Sequence, residues 1–190
     1  MNIAFRLLLT LNATCLLVII FLVNKNLALG DLLPNNQILS ALPNYLSFGF
    51  YSFIPVALTW LSIKLAKFLP NNNFKKGAIT EIGHANNAFL PSYLGYFFVA
   101  LSINEPRTLA FIYSVLFIFT FLSQALYFNP LFLLFGYRFY NIKTKNGLEA
   151  FLISKEDYKL PEEVSLPICH TINDYTFVEG ETNDASDRQA

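Results

Sequence analysis

The first two thirds of the chain alternate between long apolar blocks and short polar stretches. Four blocks stand out, at residues 4–23, 46–64, 88–103 and 109–128. A bilayer core of ~30 Å is crossed by about 17–25 apolar residues in a helix, which satisfies its own backbone polar groups where water is absent. The pattern predicts an all-α membrane bundle of four transmembrane helices within a domain over residues 1–136. Pro55 and Pro91 fall inside the second and third blocks, where the missing N–H predicts packing kinks.

The period changes after Gly136. Tyr137 to Lys143 is rich in aromatic and β-branched residues, Asn146-Gly147 tolerates positive φ, and a second strand-like run follows from Leu148 to Ile153. This is a hairpin signature. Leu148, Ala150 and Leu152 would line one face, with Phe151 and Ile153 on the other. An isolated hairpin is marginal, and Ile172, Tyr175, Phe177 and Val178 offer further strand. A small cytoplasmic β-rich C-terminal domain is therefore expected over 137–179, followed by a disordered acidic tail over 180–190.

Composition and charge sharpen this picture. Hydrophobic residues make up 54% of the chain and charged residues 14%, against roughly 25% charge in soluble domains, so the apolar blocks call for lipid. The zero net charge hides an uneven distribution. Arg6 precedes the first block, Lys64, Lys67, Lys75 and Lys76 follow the second, and Arg138, Lys143 and Lys145 follow the fourth. The positive-inside rule places these regions, and both termini, in the cytoplasm. From Tyr137 onward six bases face ten acids, a net of −4, which argues against direct nucleic-acid binding. Cys15 and Cys169 fall in different compartments and form no disulfide framework.

Candidate chemistry is sparse. Glu81 and His84 have the i, i+3 spacing of a helical metal pair, but the further carboxylates and second His are missing. Cys169 and His170 are adjacent, which turns two ligands apart. His170 and Asp174 lack a nucleophile elbow, and the Glu162-Glu163 pair reads as a solvated turn. The sequence thus offers no catalytic, cofactor or metal site. Asn12, Thr14, Ser52, Thr59, Ser114 and Ser123 could line a narrow path, giving an alternative reading as an oligomeric pore that depolarises the membrane. Single hydroxyls in spans more often bond a backbone carbonyl.

One further pattern stands in the last third: Asn129-Pro130, Gly136-Tyr137-Arg138-Phe139-Tyr140, Lys145-Asn146-Gly147, Leu152-Ile153-Ser154-Lys155 and Ile172-Asn173-Asp174-Tyr175-Thr176-Phe177. In these residues the chain resembles the KwaA family, the membrane subunits of bacterial Kiwa anti-phage defence. The resemblance implies a non-enzymatic, multi-pass inner-membrane scaffold that responds to phage infection. It would form a homo-oligomer, a tetramer being expected, with membrane lipid around it. Its tail would recruit the cytoplasmic DNA-binding effector KwaB, which handles the nucleic acid. Tyr140, Phe151, Ile153, Asp174, Tyr175 and Phe177 are the candidates for docking that partner or for the sheet beneath the dock.

Overall fold

The computed structural model describes residues 3–40, 42–86, 90–122 and 129–180. Ser123 and residues 181–190, most of the expected acidic tail, lie outside them. The helices are α1 (Ile3–Asn24), the short α2 (Leu29–Leu32) and α3 (Gln37–Ser40), α4 (Asn44–Ala66), α5 (Leu90–Ser102), α6 (Pro106–Leu122) and the single turn α7 (Leu131–Leu134). The strands are β1 (Asn71–Phe74), β2 (Ile79–His84), β3 (Arg138–Thr144), β4 (Glu149–Ser154), β5 (Leu166–Asn173) and β6 (Thr176–Glu179).

This corrects the four-span, all-α reading. Among the described residues, α1 with 22 residues and α4 with 23 are the helices long and apolar enough to cross a bilayer. At 1.5 Å per residue, the 13 residues of α5 and 17 of α6 make rods of only about 20 and 26 Å. The third block falls short because Asn104-Glu105 breaks it and Pro106 opens α6 at the first helical position, where its missing N–H costs nothing. The β structure also reaches beyond the C-terminal third. Residues 71–84, expected to be a basic connection, supply two of six strands. Pro55 lies within α4, which continues through it, and Pro91 lies in the first turn of α5.

The chain divides into two compact units: Met1–Arg6, Ser62–Ala88 and Phe132–Ala190 form one, and Leu7–Leu61 with Phe89–Leu131 the other. In the helical unit, Leu17 and Phe21 of α1 pack with Ala100, Ile103 and Leu109, while Cys15 and Ile19 pack with Tyr51 of α4. The loop between α1 and α4 is tightly folded. Tyr51 Oη donates to Leu27 O at 3.0 Å, Ser47 Oγ accepts from Leu29 N at 3.2 Å, and Gly30 sits so close to α3 that a Cβ there would lie 2.7 Å from Ser40 Cα.

In the sheet unit the strand order is β1-β5-β6-β4-β3-β2; β4 and β6 run parallel and every other pair is antiparallel. The expected hairpin is β3–β4, with Gly147 at φ 78° in its turn. Although β1 and β2 lie at opposite edges, the four residues Lys75 to Ala78 join them. Five Cα steps reach at most ~18 Å, whereas six flat strands would span ~24 Å, so the sheet is rolled. Its concave face holds one core of Ile79, Tyr140, Ile142, Ala150, Leu152, Leu166, Cys169 and Phe177, capped by Tyr158 and Val164. Phe74 of edge strand β1 meets Phe177 edge-on at 5.0 Å. With β1 and β2 read as halves of one interrupted strand, the order and its parallel pair are those of the five-stranded Greek-key OB barrel.

Candidate functional site

The structure separates the six docking candidates. Tyr140, Phe151, Ile153 and Phe177 are buried, at 0, 1, 1 and 3% exposure, whereas Asp174 and Tyr175 are exposed on the β5–β6 turn. Strand alternation puts Tyr140 and Phe177 on the concave face. There Tyr140 Oη donates to Glu156 O at 2.9 Å and accepts from Tyr158 N at 3.2 Å, holding the 155–165 segment over the core. Phe151 and Ile153 face outward, and Phe151 stacks on Phe139 at 5.7 Å, with Phe132 beyond at 6.1 Å. The Asp174–Tyr175 turn is pre-shaped: Asn173 Oδ1 accepts from Tyr175 N at 2.9 Å, and Tyr175 O accepts from Phe151 N at 2.7 Å. Of the six, this turn alone can meet a partner without dismantling the sheet.

A second lock fastens the same segment. Tyr158 Oη donates to Glu179 Oε1 at 2.9 Å and Ser154 Oγ donates to Glu179 Oε2. Burial first, then the carboxylates of Glu179 and Glu156, push the Tyr158 phenol well above its ordinary value. Burial likewise raises the Cys169 thiol to about 11, so it stays protonated and unreactive at neutral pH.

The chemistry weighed from sequence spacing does not assemble. Glu81 and His84 lie on a strand, not a helix. Glu81 faces Lys143 at 3.5 Å, while the His84 ring rests on Tyr140 at 4.9 Å. Cys169 and His170 point to opposite faces of β5, and Asp174 sits out on the turn beyond them. Glu163 caps its own turn, its Oε2 accepting from Lys159 N and Leu160 N, bonds that hold its carboxyl below the usual range. Among the described residues no group of three or more His, Cys, Asp or Glu could hold a metal ion.

The helical unit carries a polar hub that spacing alone left undefined. Thr59 Oγ1 donates to Pro55 O at 2.8 Å and accepts from Asn12 Nδ2 and Asn129 Nδ2, both at 3.0 Å. Asn129 Oδ1 accepts from Tyr93 Oη at 3.4 Å and caps α7 by accepting from Leu131 N at 3.0 Å. All four side chains are buried. Of the pore candidates, Asn12 and Thr59 are therefore spent on each other. Thr14, Ser52 and Ser114 donate to carbonyls of their own helices, at Thr10, Phe48 and Ala110.

In the sheet unit the β1–β2 and β3–β4 turns adjoin, with Lys145 N donating to Ala78 O at 3.0 Å. Lys75, Lys76 and Lys145 are exposed on these turns. Lys143, one residue back, is matched by Glu81 at 3.5 Å and Glu149 at 3.8 Å. The sequence displayed these lysines as topology signals; only the fold brings them together.

No curated protein and no solved structure matches the chain. The family model of the anti-phage protein KwaA, by contrast, matches residues 5–178, a stretch that takes in both the helical core and all but the last residue of the sheet. The chain belongs to the KwaA family, and its role lies in anti-phage defence.

Proposed function

We propose that the protein is a non-enzymatic membrane scaffold that responds to phage infection at the bacterial inner membrane and presents its sheet unit to a soluble cytoplasmic effector of the KwaB type. The carrying observation is the helical unit's exterior: Phe53, Phe98, Phe111 and Phe119 are exposed at 62, 68, 71 and 63%. In water such a surface would aggregate; in a bilayer it is at home. A lipid-facing exterior around a satisfied polar hub also suits a homo-oligomer, whose contacts would come from the same apolar faces.

Connectivity supports the orientation. The start of α1 and the end of α4 both belong to the sheet unit, as do the ends leading into α5 and out of α7. Arg6, Lys64, Lys67, Lys75, Lys76, Arg138, Lys143 and Lys145 share that unit, so the positive-inside rule makes it cytoplasmic. Effector recruitment rather than direct nucleic-acid binding fits the outer face of β3–β4. OB barrels take oligonucleotides on that face, and here Phe139, Phe151 and Ile153 on it are buried.

The test is affinity capture of the full-length, detergent-solubilised protein from infected and uninfected cells, with mass spectrometry and sizing of the complex. Recovery of a soluble effector with an oligomer of this chain, weakened by Asp174→Arg with Tyr175→Ala, is expected. An oligomer that brings down no soluble protein under either condition would sink the scaffold reading.

A further inference from the structure

We infer that the cleft at the closed end of the α5–α6 hairpin binds a phospholipid with an amine head, of the phosphatidylethanolamine kind; this rests on the reading that the helical unit lies in a bilayer. The cleft has a volume of about 660 Å³ and is confined to the last turn of α5, the connection at 103–105 and the first two turns of α6. That is the size of sites that take small ligands. Packing fixes its floor: Ile103 is buried in the core of Leu17, Phe21, Ala100 and Leu109, and Val99 and Ile112 lie half-buried against that core. Its lining changes character along the hairpin. Glu105, Thr108 and Ile112 follow at helical spacings of three and four, so one face runs from carboxylate to hydroxyl to hydrocarbon. On α5 the exposed Phe98 adds a second apolar wall, and Ser102 Oγ is spent on Phe98 O at 2.7 Å. A recess that is polar at the connection and apolar along the helices matches an amphiphile, with hydrocarbon along the walls and a head at the connection.

The charges select the head. Glu105 is the charged residue of the lining, and its carboxylate has no hydrogen-bond or ion-pair partner among the described residues. Beside it, Asn104 Oδ1 accepts from Lys25 Nζ at 2.9 Å, which brings a cation to the same rim without neutralising Glu105. An acid and a base at one rim, not paired with each other, complement a zwitterion whose ammonium faces Glu105 and whose phosphate faces Lys25. A phosphatidylglycerol head has no cation and would set its phosphate against the Glu105 carboxylate. A cationic amphiphile without phosphate would leave Lys25 unmatched. A seam with a second copy would run helix on helix over several turns, whereas this cleft stops after two.

The test is native mass spectrometry of the full chain in detergent micelles, titrated with phosphatidylethanolamine or with phosphatidylglycerol of identical chains. The wild type is expected to take up phosphatidylethanolamine saturably, a single lipid per chain, in preference to phosphatidylglycerol. Glu105→Gln should lower that preference about two- to fivefold, Glu105→Asp should keep it, and Glu105→Lys should reverse it. Thr108→Trp, at an exposed position of the lining, should fill the cleft and abolish uptake of both lipids while the oligomer keeps its wild-type size. A preference unchanged in Glu105→Gln, uptake unchanged in Thr108→Trp, or tighter binding of phosphatidylglycerol by the wild type overturns the inference. So does an oligomer that Thr108→Trp breaks apart with no loss of lipid, which would make the cleft a seam between copies. Cell fractionation separates the two readings. A chain that stays with membranes through an alkaline wash but takes up neither lipid sinks the cleft alone; a chain released into the soluble fraction sinks the bilayer reading with it.

Discussion

The two units of this protein solve opposite solvation problems with one chain. In the sheet unit apolar side chains go inside: Tyr140, Leu152, Val164, Leu166 and Cys169 are all fully enclosed, and charged residues ring the exterior. In the helical unit the polar Asn12, Thr14 and Thr59, at 2, 1 and 0% exposure, are enclosed alongside Leu17 and Phe21, while leucines and other phenylalanines, such as Phe98 and Phe111, face out. The difference teaches where the driving force lies. The sheet gains from removing apolar area from water. On the membrane reading proposed above, the helices gain from matching polar groups that would otherwise stand unpaired in hydrocarbon, and from close packing.

That contrast can be broken most forcefully in the sheet. Leu152→Ala removes a fully buried side chain from the concave core and is expected to cost about 2–5 kcal/mol, read as a lower thermal midpoint or faster limited proteolysis of the sheet. A midpoint unchanged from wild type would mean the rolled core is not what holds that unit together. Next comes Gly30→Ala, which drives a Cβ to 2.7 Å from Ser40 Cα and should cost about 1–3 kcal/mol as overpacking, seen as increased protease cleavage in the 25–43 loop. Thr59→Val keeps the shape of the hub but deprives Asn12 and Asn129 of their acceptor; about 1–2 kcal/mol is expected in nanodisc unfolding. Phe119→Ala, at an exposed position of α6, should change stability in lipid nanodiscs by no more than about 0.5 kcal/mol. A loss as large as that of Leu152→Ala would show that Phe119 packs against protein, as at an oligomer seam.

The contrast also has a pH signature. The Cys169 thiol, ordinarily near 9, is raised to about 11 by burial. The folded sheet therefore holds this proton more tightly than the unfolded chain. The stability tied to it is complete below pH 9 and is lost as pH climbs toward 11. Tyr158 titrates in the same sense. Denaturant unfolding of the sheet should weaken across this alkaline window, and Cys169→Ala should flatten part of the slope. A slope that the variant leaves untouched would assign the whole effect to Tyr158.

Local chemistry made some of this legible from sequence. Asn146-Gly147 announced the β3–β4 turn because its φ requirement is met by residue type alone, and the alternation of Ala150, Phe151, Leu152 and Ile153 announced two buried faces. Strand β1 was not legible. Asn71-Asn72-Asn73 has low β propensity and becomes a strand only because β5 offers it a ladder. Strand β2 contains Gly83 and is likewise made by its partner β3. The apolar blocks gave the positions of the helices but not their lengths, which depend on the Asn104–Pro106 break. Among site residues, aromatic alternation led to Tyr140, Phe151 and Phe177, which the fold uses as core. The adjoining β1–β2 and β3–β4 turns bring together Lys75, Lys76 and Lys145, which are far apart in sequence, so no local pattern could have assembled them.

The strand order has a bearing on how the protein is made. Strand β1 leaves a synthesising ribosome long before β5, the strand it pairs with, and β2 must wait through α5 and α6 for β3. Two unpaired edges therefore persist while the helices between them are synthesised, the interval in which a sticky strand would capture the wrong neighbour. A run of three asparagines followed by paired lysines is poor material for such mispairing. The low strand propensity that hid β1 from the sequence thus works as a delay, keeping that edge unreactive until the chain needed to cover it has emerged.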